Sequence, residues 1–146
     1  MRLQRKIRRK YPKRLARNRE VTGPNQLWQA DAKYGYIHGE RWFFFVLSSL
    51  NVCDRSVVYS DVGLSATAED AAAALGHALW NRQLSGNVAK PVLRTDNGPQ
   101  FIAGVFEAAC EHYGVEHERI PCFIEYLRMN AWLGRSSKRS RKRTGL

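Results

Sequence analysis

Two periods of apolar and polar residues run along this chain, and the elements change where the period changes. Leu27 to Ile37 is rich in aromatics and reads as a strand. His38-Gly39-Glu40 is a turn signal, and Arg41 to Leu50 follows as a second strand. Its unbroken apolar run suits a central strand buried on both faces. Val57 to Val62 is a third, short β-branched run. Three strands in succession predict an antiparallel meander.

The period then lengthens. Thr67 stands as a cap ahead of Glu69 and Asp70, and Ala71 to Gln83 continues as a helix. Val88 to Thr95, with Pro91 inside it, predicts a fourth strand that ends at Asp96. After Asn97-Gly98-Pro99 the spacing predicts a helix over Ala103 to Tyr113, stopped by Gly114, and then a strand from Val115 to Ile120. The order β-β-β-α-β-α-β is that of a mixed α/β layer. Beyond Pro121 the pattern degrades. Cys122 to Trp132 has no clean period, and Leu133 to Leu146 holds so little apolar surface that a disordered tail is expected.

Charge divides the chain in the same places. The net charge is +11, yet residues 1–20 hold ten Lys or Arg beside the single acid Glu20. Residues 135–146 hold six more and no acid. Residues 21–134 keep eight bases of the 24 against twelve acids of the 13. A mildly acidic globule therefore carries two cationic arms. Such arms release counterions when they meet phosphates, which gives salt-dependent affinity for nucleic acid. In the first arm, Leu3, Ile7, Tyr11 and Leu15 recur every four residues, a helical stripe among the bases. No apolar stretch follows this arm, which argues against a signal peptide, and the longest apolar run, Trp42 to Leu47, is too short to span a bilayer. Cys53, Cys110 and Cys122 are odd in number and widely spaced. They predict buried small hydrophobes in a reducing cytosol, not a disulfide or zinc site.

Two acids stand out. Asp31 lies mid-strand among Trp28, Tyr34 and Tyr36, and taken alone it reads as a solvated strand acid with Lys33 or a metal as its partner. Asp96 ends a strand before Asn97-Gly98, and taken alone it reads as a turn-initiating Asp that caps Gly98. Its position at a strand end, where α/β folds gather their chemistry, lifts the functional alternative. Other residues carry less. His38, His77, His112 and His117 lack ligand spacing, and His112 and His117 are expected at the surface. Trp42, Trp80 and Phe43-Phe44-Phe45 are expected in the core. Ser48, Ser49 and Ser60 have no glycine elbow or paired His to support a serine hydrolase.

Three segments together resemble a family: Asn25-Gln26-Leu27-Trp28-Gln29-Ala30-Asp31, Asp54-Arg55-Ser56 after the apolar strand, and Thr95-Asp96-Asn97-Gly98-Pro99-Gln100-Phe101. From about residue 22 to Trp132 they are similar to the catalytic core of bacterial insertion-sequence transposases and retroviral-type integrases. The resemblance implies a ribonuclease-H-like fold, α/β with a mixed five-stranded sheet flanked by helices, and an Asp-Asp-Glu triad. Asp31 and Asp96 match its first two acids, binding two Mg²⁺ (or Mn²⁺) ions for strand cleavage and strand transfer. Asn97 and Gln100 match positions near that site, contacting DNA or orienting Asp96. Further nucleic-acid contacts are expected from Arg5, Lys6, Arg8, Arg9 and Lys10. The resemblance also implies DNA partners (element ends and target), a homo-oligomer, no membrane association, and a cytoplasmic, nucleoid-associated location. The expected organisation is a basic arm over 1–21, the remnant of an upstream DNA-binding region; an incomplete core over 22–134; and a basic tail over 135–146.

The third acid is the difficulty. In the family a Glu follows the second Asp by roughly three dozen residues, in a stretch such as Pro-x-x-Asn-Ala-x-x-Glu-Ser. Here Met129-Asn130-Ala131-Trp132 stands where that stretch begins, and Leu133-Gly134-Arg135-Ser136 follows. No acid occurs after Glu125, itself a weak substitute. A reading-frame change past Trp132 is the expected origin of the tail, a natural divergent tail the alternative. Impaired catalysis is the expectation. The rival functions are a non-catalytic nucleic-acid-binding fragment and another ribonuclease-H-like nuclease.

Overall fold

A computed structural model describes residues 19–120 of the chain. The meander forms as the alternation predicts: β1 (Leu27–Ile37), β2 (Trp42–Asn51) and β3 (Val57–Gly63) pair antiparallel in turn. The chain then crosses over through α1 (Ala68–Asn81) and returns as β4 (Val92–Thr95), parallel to β1. A short α2 (Pro99–Ile102) and α3 (Gly104–Tyr113) lead to β5 (Glu116–Arg119), parallel to β4. The sheet order is β3-β2-β1-β4-β5, so β1, the first strand of the sequence, lies at its centre.

Local chemistry sets the helix ends. Thr67 accepts the Asp70 backbone N–H while Asp70 accepts the Thr67 N–H, a reciprocal capping box. From there Ala71, Ala74, Leu75, Ala78 and Leu79 form one buried stripe. Pro99 occupies the first turn of α2, where its missing N–H costs nothing. Gly114 ends α3 in the left-handed conformation at φ 69°, and its N–H reaches back to the last turn.

One core joins these elements. Trp28, Ala30 and Leu47 from the sheet meet Leu75, Ala78 and Leu79 of α1 and Phe106 and Cys110 of α3, with Leu93 between. The alanines let α1 lie close to the strands, and Gly76 lets α3 lie close to α1: a Cβ there would fall 2.7 Å from the Tyr113 hydroxyl. Gly35 is required for a similar reason, because the ring of its cross-strand partner Phe44 lies over it.

Several expectations fail here. β2 is central in order but not buried on both faces, because the helical cover reaches only the Trp28–Asn51 end of the β1–β2 ribbon. Toward the hairpin tip Trp42 and Phe43 are more than half exposed, and Phe44 and Phe45 are half-buried. Tyr34 and Tyr36 join Phe43 in an exposed row of rings, Tyr34 edge-on to Phe43 and Tyr36 tilted against it. Trp80, on the outer side of α1, is exposed as well. Cys53 is exposed while Cys110 is buried, and Cys122 lies outside the described residues. His117, expected at the surface, is buried on β5.

Candidate functional site

The two aspartates follow neighbouring parallel strands, β1 and β4. β1 and β4 pair as Leu27↔Val92, Trp28↔Leu93 and Gln29↔Arg94. That pairing ends at Gln29↔Arg94, two residues before each aspartate, and β4 itself ends at Thr95. On β1, Asp31 follows Gln29 on the face opposite Trp28, because residues two apart on a strand share a face. Asp31 sits among the β1–β2 pairs, opposite Ser48, so β2 holds its backbone. Its side chain is 44% exposed, and the ammonium of Lys33, itself exposed, stands 3.9 Å away. At that distance in solvent the pair constrains little.

Asp96 is held less by its strand than by what brackets it. Before it, Thr95 is fully buried, its carbonyl accepts the Ile120 N–H at 2.8 Å, and its hydroxyl donates to the Asp96 carbonyl at 2.9 Å. After it, the Asn97 amide donates to the Ile120 carbonyl at 3.0 Å. The Asp96 carboxylate itself accepts the Gly98 N–H at 2.9 Å, the turn that a lone Asp-Asn-Gly would form. One carboxylate oxygen is thus oriented by the backbone, and the side chain is exposed to solvent. Gln100 is buried and lies against Gly98. Asp54, in the turn after β2, caps Ser56 through both its hydroxyl and its N–H, which lowers its pKa.

Behind Asp96 runs a polar cluster that sequence reasoning missed. His117 places Nε2 2.8 Å from the Thr95 hydroxyl and Nδ1 3.0 Å from Glu107 of α3. Arg119 also donates to Glu107. Burial alone would raise the Glu107 pKa, but the Arg119 hydrogen bond and the neighbouring His117 together hold it below the ordinary value. One residue further on, buried Glu118 takes Arg19 at 2.7 Å and Arg94 at 3.2 Å. A histidine inside a predicted strand that pairs beside the Thr95-Asp96 strand end was the available signal.

Arg5, Lys6, Arg8, Arg9, Lys10 and Glu125 lie outside the described residues, as do residues 135–146. Among the described residues no group of three His, Cys, Asp or Glu is placed to hold a metal ion. None of their helices is long and apolar enough to cross a membrane.

Residues 21–121 match the integrase core domain, and the chain belongs to that family. Transposase InsF for insertion sequence IS3A of Escherichia coli (strain K12) is 27% identical over 95 residues, which cover 65% of this chain and 31% of that protein. The chain thus spans about a third of the length of the curated relatives it matches. Among solved structures, a chain of the simian T-cell lymphotropic virus intasome in complex with PP2A regulatory subunit B56 gamma aligns with a TM-score of 0.58 at 20% identity, over 76% of this chain and 40% of that one. The HTLV-2 integrase catalytic core domain in complex with magnesium aligns at 0.53 and 24% identity, over 66% of this chain and 60% of that one. The five-stranded mixed sheet flanked by helices is accordingly a ribonuclease-H-like fold.

Proposed function

We propose that this chain is the catalytic-core portion of an insertion-sequence transposase, acting on DNA by metal-dependent phosphoryl transfer, in a copy whose third catalytic acid is missing. What supports the reading is the match to the integrase core domain together with the parallel pairing of β1 and β4, whose last pair, Gln29↔Arg94, stands two residues before Asp31 and Asp96. The donor set suits a hard divalent cation: two carboxylates, both reached by solvent, with only the distant Lys33 ammonium to displace. Asp31 and Asp96 would hold Mg²⁺ or Mn²⁺, which when bound supplies charge stabilisation at the attacked phosphate and activates the attacking water or 3′-hydroxyl.

The chain's own residues prepare that site. Asp31 is held by its pairing with β2, and Asp96 is oriented by the Gly98 N–H. Asn97 ties the turn to Ile120, and Gln100 packs beneath it. The basic arm, including Arg5, Lys6, Arg8, Arg9 and Lys10, neutralises DNA phosphates, and copies of the chain assemble on element ends and target in the bacterial cytoplasm. With no acid after Glu125, two carboxylates alone hold the ions loosely, so strand transfer by these 146 residues is weak or absent.

A duplex carrying an insertion-sequence end, incubated with the chain and Mg²⁺ or Mn²⁺, tests both halves of this reading. Salt-dependent binding is expected, with joining no greater than that of Asp96→Asn. Replacing the five named arm bases with Gln should flatten the slope of log affinity against log salt by about four. An unchanged slope would overturn the arm's role. Joining that Asp96→Asn abolishes would overturn the impaired copy and revive Glu125 as the third acid.

A further inference from the structure

We infer that His117 is a positioning residue for Asp96, acting through Thr95. This rests on the reading of Asp96 as a divalent-metal carboxylate. The geometry is a relay of four side chains from three elements. Arg119 on β5 and the His117 ring converge on the Glu107 carboxylate of α3, which fixes the ring's orientation through Nδ1. The ring's other nitrogen meets the Thr95 hydroxyl at 2.8 Å. That hydroxyl in turn holds the Asp96 carbonyl at 2.9 Å.

The consequence is steric as well as polar. The hydroxyl bridges imidazole and carbonyl, so it fixes the peptide plane that leaves Asp96 and with it the direction of the Asp96 side chain. Phe106 packs its ring edge-on to His117 with centroids 5.2 Å apart, which denies the imidazole another rotamer. Thr95 and His117 are both buried, so solvent cannot replace a lost partner. Nothing else in the described structure uses a buried Thr–His–Glu–Arg chain that starts one residue before Asp96. A cluster serving stability alone would not need to end on that carbonyl.

Groups that orient a ligand to a metal typically change affinity ten- to a hundredfold when removed, which sets the expected effect. Mn²⁺ affinity of the full chain is measured by calorimetry for wild type, Thr95→Val, Thr95→Ser and Asp96→Asn. Thr95→Val, which keeps the shape and loses the hydroxyl, should weaken binding at least about tenfold, and Thr95→Ser should restore it to within about twofold. A second measurement needs no core variant. In the wild-type chain, the His117 Nε2 ¹⁵N resonance should shift when Mg²⁺ is added, and Asp96→Asn should abolish that shift.

If Thr95→Val binds Mn²⁺ as wild type does while Asp96→Asn does not bind, the positioning role is overturned and the reading of Asp96 stands. A His117 resonance indifferent to Mg²⁺ overturns it equally. If Asp96→Asn binds Mn²⁺ undiminished, the carboxylate reading itself falls, and the positioning role with it.

Discussion

Gly98→Ala should damage the Asp96 turn, while Gly104→Ala, six residues away, should not. Gly98 has φ −57° and ψ 145°, a conformation open to any residue, so backbone strain is not the issue. Space is. A Cβ at Gly98 would stand 2.6 Å from the Gln100 amide nitrogen and 2.9 Å from the Asp96 carboxylate oxygen that accepts the Gly98 N–H. Gln100 is buried and cannot swing into solvent freely, so the turn must open. Overpacking of this kind costs about 1–3 kcal/mol. Losing the Gly98–Asp96 hydrogen bond adds roughly 1 kcal/mol. The narrower unfolded ensemble of Ala returns about 0.5 kcal/mol. The net loss is then about 1.5–3.5 kcal/mol, which for a chain of this size lowers Tm by roughly 5–17 °C. A Cβ at Gly104 meets nothing within 4 Å, so Gly104→Ala should be neutral or gain up to about 1 kcal/mol. Urea and thermal unfolding followed by far-UV circular dichroism read both variants. Gly98→Ala within about 0.5 kcal/mol of wild type, or Gly104→Ala falling as far as Gly98→Ala, would refute the reasoning.

Three further outcomes follow from the burial pattern. Glu118→Ala should cost about 1.5–3 kcal/mol in urea unfolding, because it removes a buried carboxylate that accepts from both Arg19 and Arg94, while Arg19 keeps Glu116; a loss below about 1 kcal/mol would contradict that. Iodoacetamide should label Cys53 in the folded chain and leave Cys110 until unfolding, since burial first and then Glu107 push the Cys110 thiol up to about 12; equal labelling rates by peptide mass analysis would contradict the buried assignment. Glu107 has a folded pKa below its ordinary value of 4.5, so its stabilisation is present above that pH and is lost as pH falls through the lower folded value. Glu107→Gln should therefore flatten the stability-versus-pH curve below about pH 4.5, and an unchanged acid limb would count against the His117–Glu107–Arg119 cluster.

Elements set by local chemistry were legible in the sequence. β1 follows the predicted Leu27–Ile37 bounds because turn residues flank it on both sides. α1 starts where Thr67 and Asp70 cap each other, and α3 stops at Gly114. What escaped the sequence is non-local. Val115 to Ile120 reads as a strand, as found. But His117 reads as a surface residue, yet His117 and Glu118 are buried because their partners arrive from afar: Thr95 is 22 residues away from His117 and Arg19 is 99 from Glu118. Conversely, Trp42 and Phe43 read as core but are exposed, because how far the helices cover a ribbon depends on packing that no strand pattern encodes. For the site, the motif around Asp96 named the residue. The pairing of β1 with β4, which the sequence does not encode locally, is what makes the strands that lead to Asp31 and Asp96 neighbours.

The central claim is that Asp31 and Asp96 form one divalent-metal site. Site-resolved paramagnetic broadening of the amide spectrum by Mn²⁺ tests it most directly, using the full chain and the variants Asp31→Asn and Asp96→Asn. Selective broadening is expected at both Ala30–Ala32 and Thr95–Gly98 at the same Mn²⁺ concentration, lost from both segments when either aspartate is replaced. Broadening at one segment that survives replacement of the aspartate in the other would contradict it.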